Sequence, residues 1–303
     1  MPDDGEILLK TLYVSVDPYL RGRMNDAKSY VPAFQLDKPV QSGIIATVTD
    51  ANHSPYKIGD IVTGNLEWKE YQVSSGNNLQ VIQPTDVDLT AYLGVLGITG
   101  LTAYLGLTKI GVPKPGETLV VSGAAGAVGS VVGQIGKVMG CRVVGIAGSD
   151  QKTHLLKSKL NFDEAINYKN TVDLDRAIKT ACPDGVDIYF DNVGGKISDA
   201  VLSNINKHAR VPVCGAISMY NDTSQLLGPY VQPVLVSKST LMQGFIVSDF
   251  ADKFSAAQKQ LFNWLQDGKL TYLETIIEGF DHIPQAFLGL FEGKNEGKMI
   301  VKV

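Results

Sequence analysis

"TLVVSGAAGAVGSVVGQIGKVMG", residues 118–140, decides how this chain is read. A short apolar run enters a Gly/Ala loop. Val128, Val131, Val132, Ile135, Val138 and Met139 then recur at helical spacing and predict one apolar stripe. Gly140 stands where a helix C-cap belongs. The loop fills the last two places of a G-x-G-x-x-G fingerprint with Gly126 and Gly129, while Ala124 occupies the first. Glycine serves there for a tight turn, for close backbone approach to a pyrophosphate and for helix–strand packing. Alanine fills the first place provided its φ is negative. Taken alone, the loop suits a plain strand-to-helix turn equally well, so the reading rests on its surroundings.

Downstream, "RVVGIAG" (142–148), "EAINY" (164–168), "VDIYFDNV" (186–193), "ARVPVCGAI" (209–217) and "LMQGFIV" (241–247) are strand-like, with helical segments between most of them. Six β-rich runs alternating with helices predict an α/β fold with a Rossmann-type doubly wound parallel sheet, which favours dinucleotide binding. Upstream, "EILLKTLYVSVDPYLRG", "SGIIATVTD", "GDIVTGNL", "KEYQVSS" and "LQVIQP" read as short strands between turn signals, predicting a small β-rich unit. The final "TIIEGFDHIPQAFLGLFEGKNEGKMIVKV" (275–303) reads as strand, helix, strand and as a return to that first unit. The expected division is 98–268 for the nucleotide domain, with 1–97 and 269–303 forming the other.

The composition, 44% hydrophobic and 19% charged over 303 residues, suits a globular chain with about two domains. With 27 basic and 31 acidic residues spread along it, the chain presents no basic block for nucleic acid. The three cysteines, Cys141, Cys182 and Cys214, are scattered and odd in number, which fits a reducing, cytoplasmic setting rather than a disulfide framework. No signal peptide is read in "MPDDGEILLK". The uncharged runs 89–108 and 118–136 are too rich in glycine, and the first also in threonine, to read as membrane spans.

The end of the second nucleotide-domain strand separates NAD from NADP. An NAD site wants a carboxylate there. This strand ends in Gly148-Ser149 with Lys152 beyond, leaving room and a cation for a 2′-phosphate. The competing view makes Asp150 a helix cap and Lys152 a solvated side chain. A catalytic zinc needs three converging ligands. The first hundred residues hold only His53 and no cysteine, and His154, His208 and His282 are isolated. No G-x-S-x-G elbow or Cys–His pairing is present.

"TLYVSVDPYLRGRM" (11–24), "GITGLTAYLGL" (97–107), the stretch 123–152, "YFDNVGG" (189–195), "CGAISMY" (214–220) and "GKNEGKMIVKV" (293–303) together resemble the zinc-free medium-chain dehydrogenase/reductases. Within them the chain is similar to the branch of prostaglandin reductases and plant alkenal double-bond reductases. The resemblance implies a GroES-like catalytic domain beside the Rossmann domain, a homodimer, and NADPH-dependent reduction of the double bond of α,β-unsaturated aldehydes and ketones. It carries pyrophosphate contacts onto Gly126, Ala127, Val128 and Gly129. Lys152 and Tyr168 fall on the adenosine-phosphate side. Among the cofactor contacts it also implies, Asn192 sits at the end of one strand and the run Cys214, Gly215, Ala216, Ile217, Ser218, Met219 and Tyr220 follows another, Phe245, Ile246 and Val247 line the nicotinamide, and Asn295 reaches in from the last segment. Tyr19 corresponds to the family's substrate-pocket tyrosine, which as a residue by itself reads as a strand or turn aromatic.

Two departures stand out. Relatives often carry a tyrosine eight residues before the "GF" phenylalanine, where this chain has Ser237, a weak catalytic candidate of shorter reach. They also carry a leading strand segment before "GEILLK" that is missing here. The rival readings are a quinone reductase of the zeta-crystallin type and an NADPH-binding protein with little turnover. The substrate is a small-molecule enal or enone in the leading reading and a quinone in the first rival.

Overall fold

The computed structural model describes residues 2–26 and 29–303. Met1, Ala27 and Lys28, which sequence reading assigns to the β-rich unit, lie outside them. The chain forms two compact units, Met1–Gly94 with Glu274–Val303, and Val95–Leu273. The first begins with β1 (Ile7–Ser15), a helical turn α1 (Leu20–Arg23), β2 (Gln41–Ala51), β3 (Ile61–Glu67), β4 (Tyr71–Ser74) and β5 (Gln80–Val81). The second runs through α2 (Ile98–Gly106), β6 (Thr118–Ser122), α3 (Ala127–Val138), β7 (Arg142–Ala147), α4 (Asp150–Ser158), β8 (Glu164–Asn167) and α5 (Leu174–Ala181). It continues with β9 (Val186–Phe190), α6 (Gly195–Leu202), β10 (Ile205–Val213), α7 (Gln232–Lys238), β11 (Leu241–Gly244) and α8 (Phe254–Gln266). β12 (Glu274–Glu278), α9 (Ile283–Glu292) and β13 (Lys298–Lys302) return the chain to the first unit.

In the first unit the strands run β12-β13-β1-β2-β3-β5, with β4 also paired to β1. β12 and β13 are parallel, while β13, β2 and β4 each lie antiparallel to β1. Ile7, Leu9, Ile44, Val62, Phe287 and Val301 form its core. Sequence reading extends the first strand through "VDPYLRG", but the strand stops at Ser15. Pro18 has no N–H to give a ladder, and α1 follows it.

In the second unit, among the described residues, six strands lie in the order β11-β10-β9-β6-β7-β8, every neighbouring pair parallel. This is the doubly wound arrangement, and the chain reverses its direction of travel across the sheet between β6 and β9. β6 is buried at every position, as a parallel strand covered on both faces should be. No helix among the described residues is long and apolar enough to cross a membrane.

The α3 stripe needs correcting. Val131, Val132 and Ile135 are buried, but Val138 is 37% exposed, and Val128 and Met139 are only partly buried. Glycines form the rest of the packed face. A Cβ on Gly136 would lie 3.1 Å from Val143 Cγ2, and one on Gly133 would lie 2.6 Å from Phe162 Cε1. The helix therefore lies closer to the sheet than a row of valines would permit. Gly140 takes φ +83°, the left-handed cap its position predicts.

At the opposite ends of these strands Arg210 ties β10 to a strained turn. Its Nε donates to the Gly111 carbonyl (2.9 Å) and Nη2 to that of Val112 (3.1 Å), where Val112 holds φ +42°, an unusual value for a β-branched residue. Its other donors form two bonds, 2.9 and 2.5 Å, to the carboxylate of Glu117. Burial pushes the Glu117 carboxyl up, but the Arg210 bonds and the Lys114 amide outweigh it and hold the group below its ordinary value. A carboxyl depressed in the folded state stabilises fully above its ordinary pKa of 4.5, and that contribution disappears as pH falls through the folded value. We expect Glu117→Gln to lose about 2 kcal/mol at neutral pH. Urea unfolding should show the difference between the two proteins shrinking as pH falls below about 4.5, and a pH-independent difference would contradict this account.

Candidate dinucleotide and substrate site

Because the strands of the second unit among the described residues are all parallel, their C-terminal ends collect at one edge of the sheet, and the predicted nucleotide residues other than Asn295 follow those ends. After β6 the turn is made by Gly123, at φ +58°, and not by Ala124. Ala124 is buried, and its amide donates to the Ile146 carbonyl at 3.0 Å. This explains why an alanine in the first fingerprint place does no harm: the left-handed residue lies one position earlier. Gly126 is the N-cap of α3, with extended backbone. The amides of Ala127, Val128 and Gly129 precede the first intrahelical bond, from Ser130 N to Gly126 O (3.0 Å). Those N–H groups and the helix dipole form an anion cradle. A Cβ on Gly129 would lie 2.8 Å from Ala124 Cα and closer still to the Gly123 carbonyl oxygen. The residues therefore fit a pyrophosphate.

Past the end of β7, Ser149 caps α4 by accepting from the Lys152 amide (3.2 Å), so Asp150 is not the cap. Asp150 instead accepts from the Asn167 side chain at 2.7 Å. The Tyr168 ring lies over Gly148, where an added Cβ would meet it at 3.1 Å. Gly148, Ser149, Lys152 and Tyr168 thus gather beyond β7 and β8, and the strand end holds no carboxylate at Gly148 or Ser149 to oppose a 2′-phosphate.

Beyond β9 the organising group is one that sequence reading passed over. The Asp191 carboxylate, 2% exposed, accepts from Ser122 Oγ (3.1 Å), Tyr189 Oη (2.8 Å), the Val193 and Gly194 amides (3.0 and 2.9 Å) and Ser198 Oγ. Burial and the Asp191 charge push the Tyr189 hydroxyl well above its usual pKa, so it stays a donor. Asn192 is fixed to the neighbouring strand end. Its amide donates to Ser122 Oγ (3.0 Å) and its Nδ2 to the Ser122 carbonyl (2.7 Å).

The segment 214–220 folds back on this turn. The Cys214 and Gly215 amides donate to the Asp191 carbonyl (2.8 and 3.1 Å), and Ser218 donates its amide and hydroxyl to the Val193 carbonyl (3.1 and 2.6 Å). The Tyr220 hydroxyl accepts from the Ala216 amide at 3.3 Å. Ile217 and Met219 bound a short 3₁₀ turn. Desolvation first, then Asp191, push the Cys214 thiol up to about 12, so it is neutral and unreactive. Phe245 packs edge-on to Phe190, centroids 6.2 Å apart, and closes on Gly106, where an added Cβ would strike its ring. With that ring anchored, the backbone of Phe245, Ile246 and Val247 follows the end of β11.

Ser237 is not among these groups. It is exposed on the last turn of α7, and its hydroxyl donates back to the Val234 carbonyl (3.3 Å). Tyr19 and Asn295 belong to the first unit. Tyr19 is the N-cap of α1 and 36% exposed. Burial and the Asp17 charge raise its hydroxyl pKa above the usual tyrosine value despite Arg23, so it remains protonated. Asn295, between α9 and β13, donates to the Gly297 carbonyl (2.8 Å). No group of three or more His, Cys, Asp or Glu among the described residues could hold a metal. Of the residues missed, Asp191 and Ser122 lay inside recognised motifs, but each is a common turn residue until the two strand ends are known to be adjacent.

Residues 1–82 match a family model for the N-terminal domain of oxidoreductases, and 127–264 match one described as zinc-binding dehydrogenase. A Bacillus subtilis protein, YfmJ, is 61% identical over the whole of this chain and 89% of its own length. The NADPH-dependent curcumin reductase of Escherichia coli is 43% identical, covering 100% of this chain and 89% of its own. The NADP-dependent 2-alkenal reductase of Nicotiana tabacum is 43% identical, with 99% and 88% covered. The crystal structure of CurA from Vibrio vulnificus in complex with NADPH superposes with a TM-score of 0.95 at 43% identity, over 100% of this chain and 91% of that one.

We expect Asp191→Asn to force an amide N–H against donors at this junction and to cost about 2–4 kcal/mol. Calorimetry should show a fall in Tm of at least about 4 °C for a unit of this size, and an unchanged Tm would remove Asp191 from its organising place.

Proposed function

The chain belongs to the medium-chain dehydrogenase/reductase family, and from that premise we propose that it is an NADPH-dependent reductase of carbon–carbon double bonds conjugated to a carbonyl, acting on enals and enones. One observation carries the reading: curcumin and 2-alkenals, the substrates in the names of the two relatives at 43% identity, both have a double bond next to a carbonyl. The anion cradle of Gly126–Gly129 supports the cofactor. Gly148 and Ser149 after β7, neither of them a carboxylate, with Lys152 beyond, support the phosphorylated form.

NADPH bound there supplies a hydride for the β-carbon of the substrate. The chain's own groups bind and orient. The first-turn amides of α3 hold the pyrophosphate. Lys152 and Tyr168 receive the 2′-phosphate and the adenosine. Asn192 gives one Nδ2 hydrogen to the Ser122 carbonyl, which orients the side chain and leaves its second N–H and Oδ1 for the nicotinamide half. The backbones of 214–220 and 245–247 line that half, and the family resemblance also assigns Asn295 to the cofactor. Negative charge builds on the substrate carbonyl oxygen as the double bond is reduced, and Tyr19, kept protonated by burial and Asp17, is the donor assigned to it. Ser237, with its hydroxyl turned to the helix backbone, is a weaker candidate for that task. Among the described residues the edge strand β11 pairs only with β10, and Leu241, Val236 and Tyr230 nearby are 50%, 79% and 87% exposed, which supports a homodimer.

NADPH oxidation with a panel of enals, enones and quinones tests the chemistry. Turnover of enals and enones is expected, while turnover of quinones alone, or binding without turnover, would favour the rival readings. Lys152→Glu should raise the KM for NADPH about tenfold or more, by charge reversal beside a phosphate, with far less effect on NADH. Equal effects on the two cofactors would sink the NADP assignment.

A further inference from the structure

The β1–β13 ladder ends at the pair Ser15↔Ile300, and continuing its register sets residue 17 opposite 298. No backbone ladder can extend through this point, because Pro18 has no N–H. A side chain takes over. Lys298, only 2% exposed, donates from Nζ to the Val16 carbonyl (3.0 Å) and to Asp17 Oδ1 (2.7 Å). Ser15 donates its hydroxyl to the other Asp17 oxygen. The Asp17 carbonyl in turn accepts from the Leu20 amide (3.2 Å), the bond that closes the turn into α1. Asp17 is therefore held at both its carboxylate and its carbonyl, and Tyr19 lies inside the loop so fixed, at φ −62° and ψ −23°.

Buried ion pairs of this kind seldom stabilise a fold more than apolar residues of the same shape would. In some folds such a pair instead fixes a single geometry, and this one sits at the turn that carries the tyrosine. We propose that Lys298 and Asp17 are a positioning pair for Tyr19, setting the direction of its hydroxyl toward the substrate carbonyl. This rests on the assignment of Tyr19 to the substrate given above.

The test is a mutant cycle. Lys298→Met alone leaves the Asp17 charge buried and should lower Tm. The double variant Asp17→Asn/Lys298→Met removes both charges at nearly constant shape and should recover most of that loss. It should bind NADPH, followed by fluorescence titration, within about twofold of the parent, yet lose about tenfold in kcat/KM for an enone. Tyr19→Phe should cost several-fold in the parent and less than about twofold in the double variant, because a hydroxyl no longer aimed has little left to lose. An undiminished Tyr19→Phe effect, or an unchanged kcat/KM in the double variant, overturns the positioning role. If Tyr19→Phe is silent in the parent, the Tyr19 assignment itself fails and the inference with it. Should the double variant not fold, Ser15→Ala removes one bond to the same carboxylate without changing charge, and the same cycle with Tyr19→Phe decides.

Discussion

Two strand ends of the second unit, those of β6 and β9, lie side by side because the sheet reverses its winding there, and a single buried carboxylate joins them. Asp191 accepts from a hydroxyl of β6, from a hydroxyl of β9, from the turn that follows and from α6. Several other placements at the proposed nucleotide site refer back to this junction. Asn192 is oriented by Ser122, the segment 214–220 hangs on the Asp191 and Asn192 carbonyls, and the Gly123 turn passes 3.5 Å, measured from an added Cβ, from the Asn192 side chain. A buried negative charge is tolerated because neutral donors surround it on all sides.

Glycine sets the second constraint, and it acts by different means at different positions. Gly123 supplies a left-handed turn, Gly129 allows the loop and helix to touch, and Gly133 and Gly136 let α3 settle on the sheet against Phe162 and Leu119. Together they bring the positive end of α3 to the strand ends. A helix held off by valines would present the same amides at a greater distance from the ligand. The first unit solves a comparable problem with a charge pair, where Lys298 continues a ladder that proline interrupts.

Much of this was legible in the residues. Alternating apolar runs and helical stripes locate the six parallel strands, and the fingerprint with Gly148-Ser149 at the next strand end points to a phosphorylated dinucleotide. Local pattern was enough there because strand and helix periods are properties of neighbouring residues. It failed where packing decides. Val138 fits the apolar period and is exposed, while Ala124 occupies a fingerprint place whose conformation belongs to Gly123. Ser237 aligns with a tyrosine position yet turns its hydroxyl to its own helix.

The sequence by itself determined the order of most elements, which is written in short-range periodicity, and it carried the motifs whose resemblance points to the family and the cofactor class. Only the tertiary structure decided that Asp191 and Ser122 meet, that Lys298 closes on Asp17, and that Asn192 is oriented by Ser122. Those contacts join residues as far apart as Val16 and Lys298, and they exist only once parallel winding and strand register have brought distant strand ends to one place.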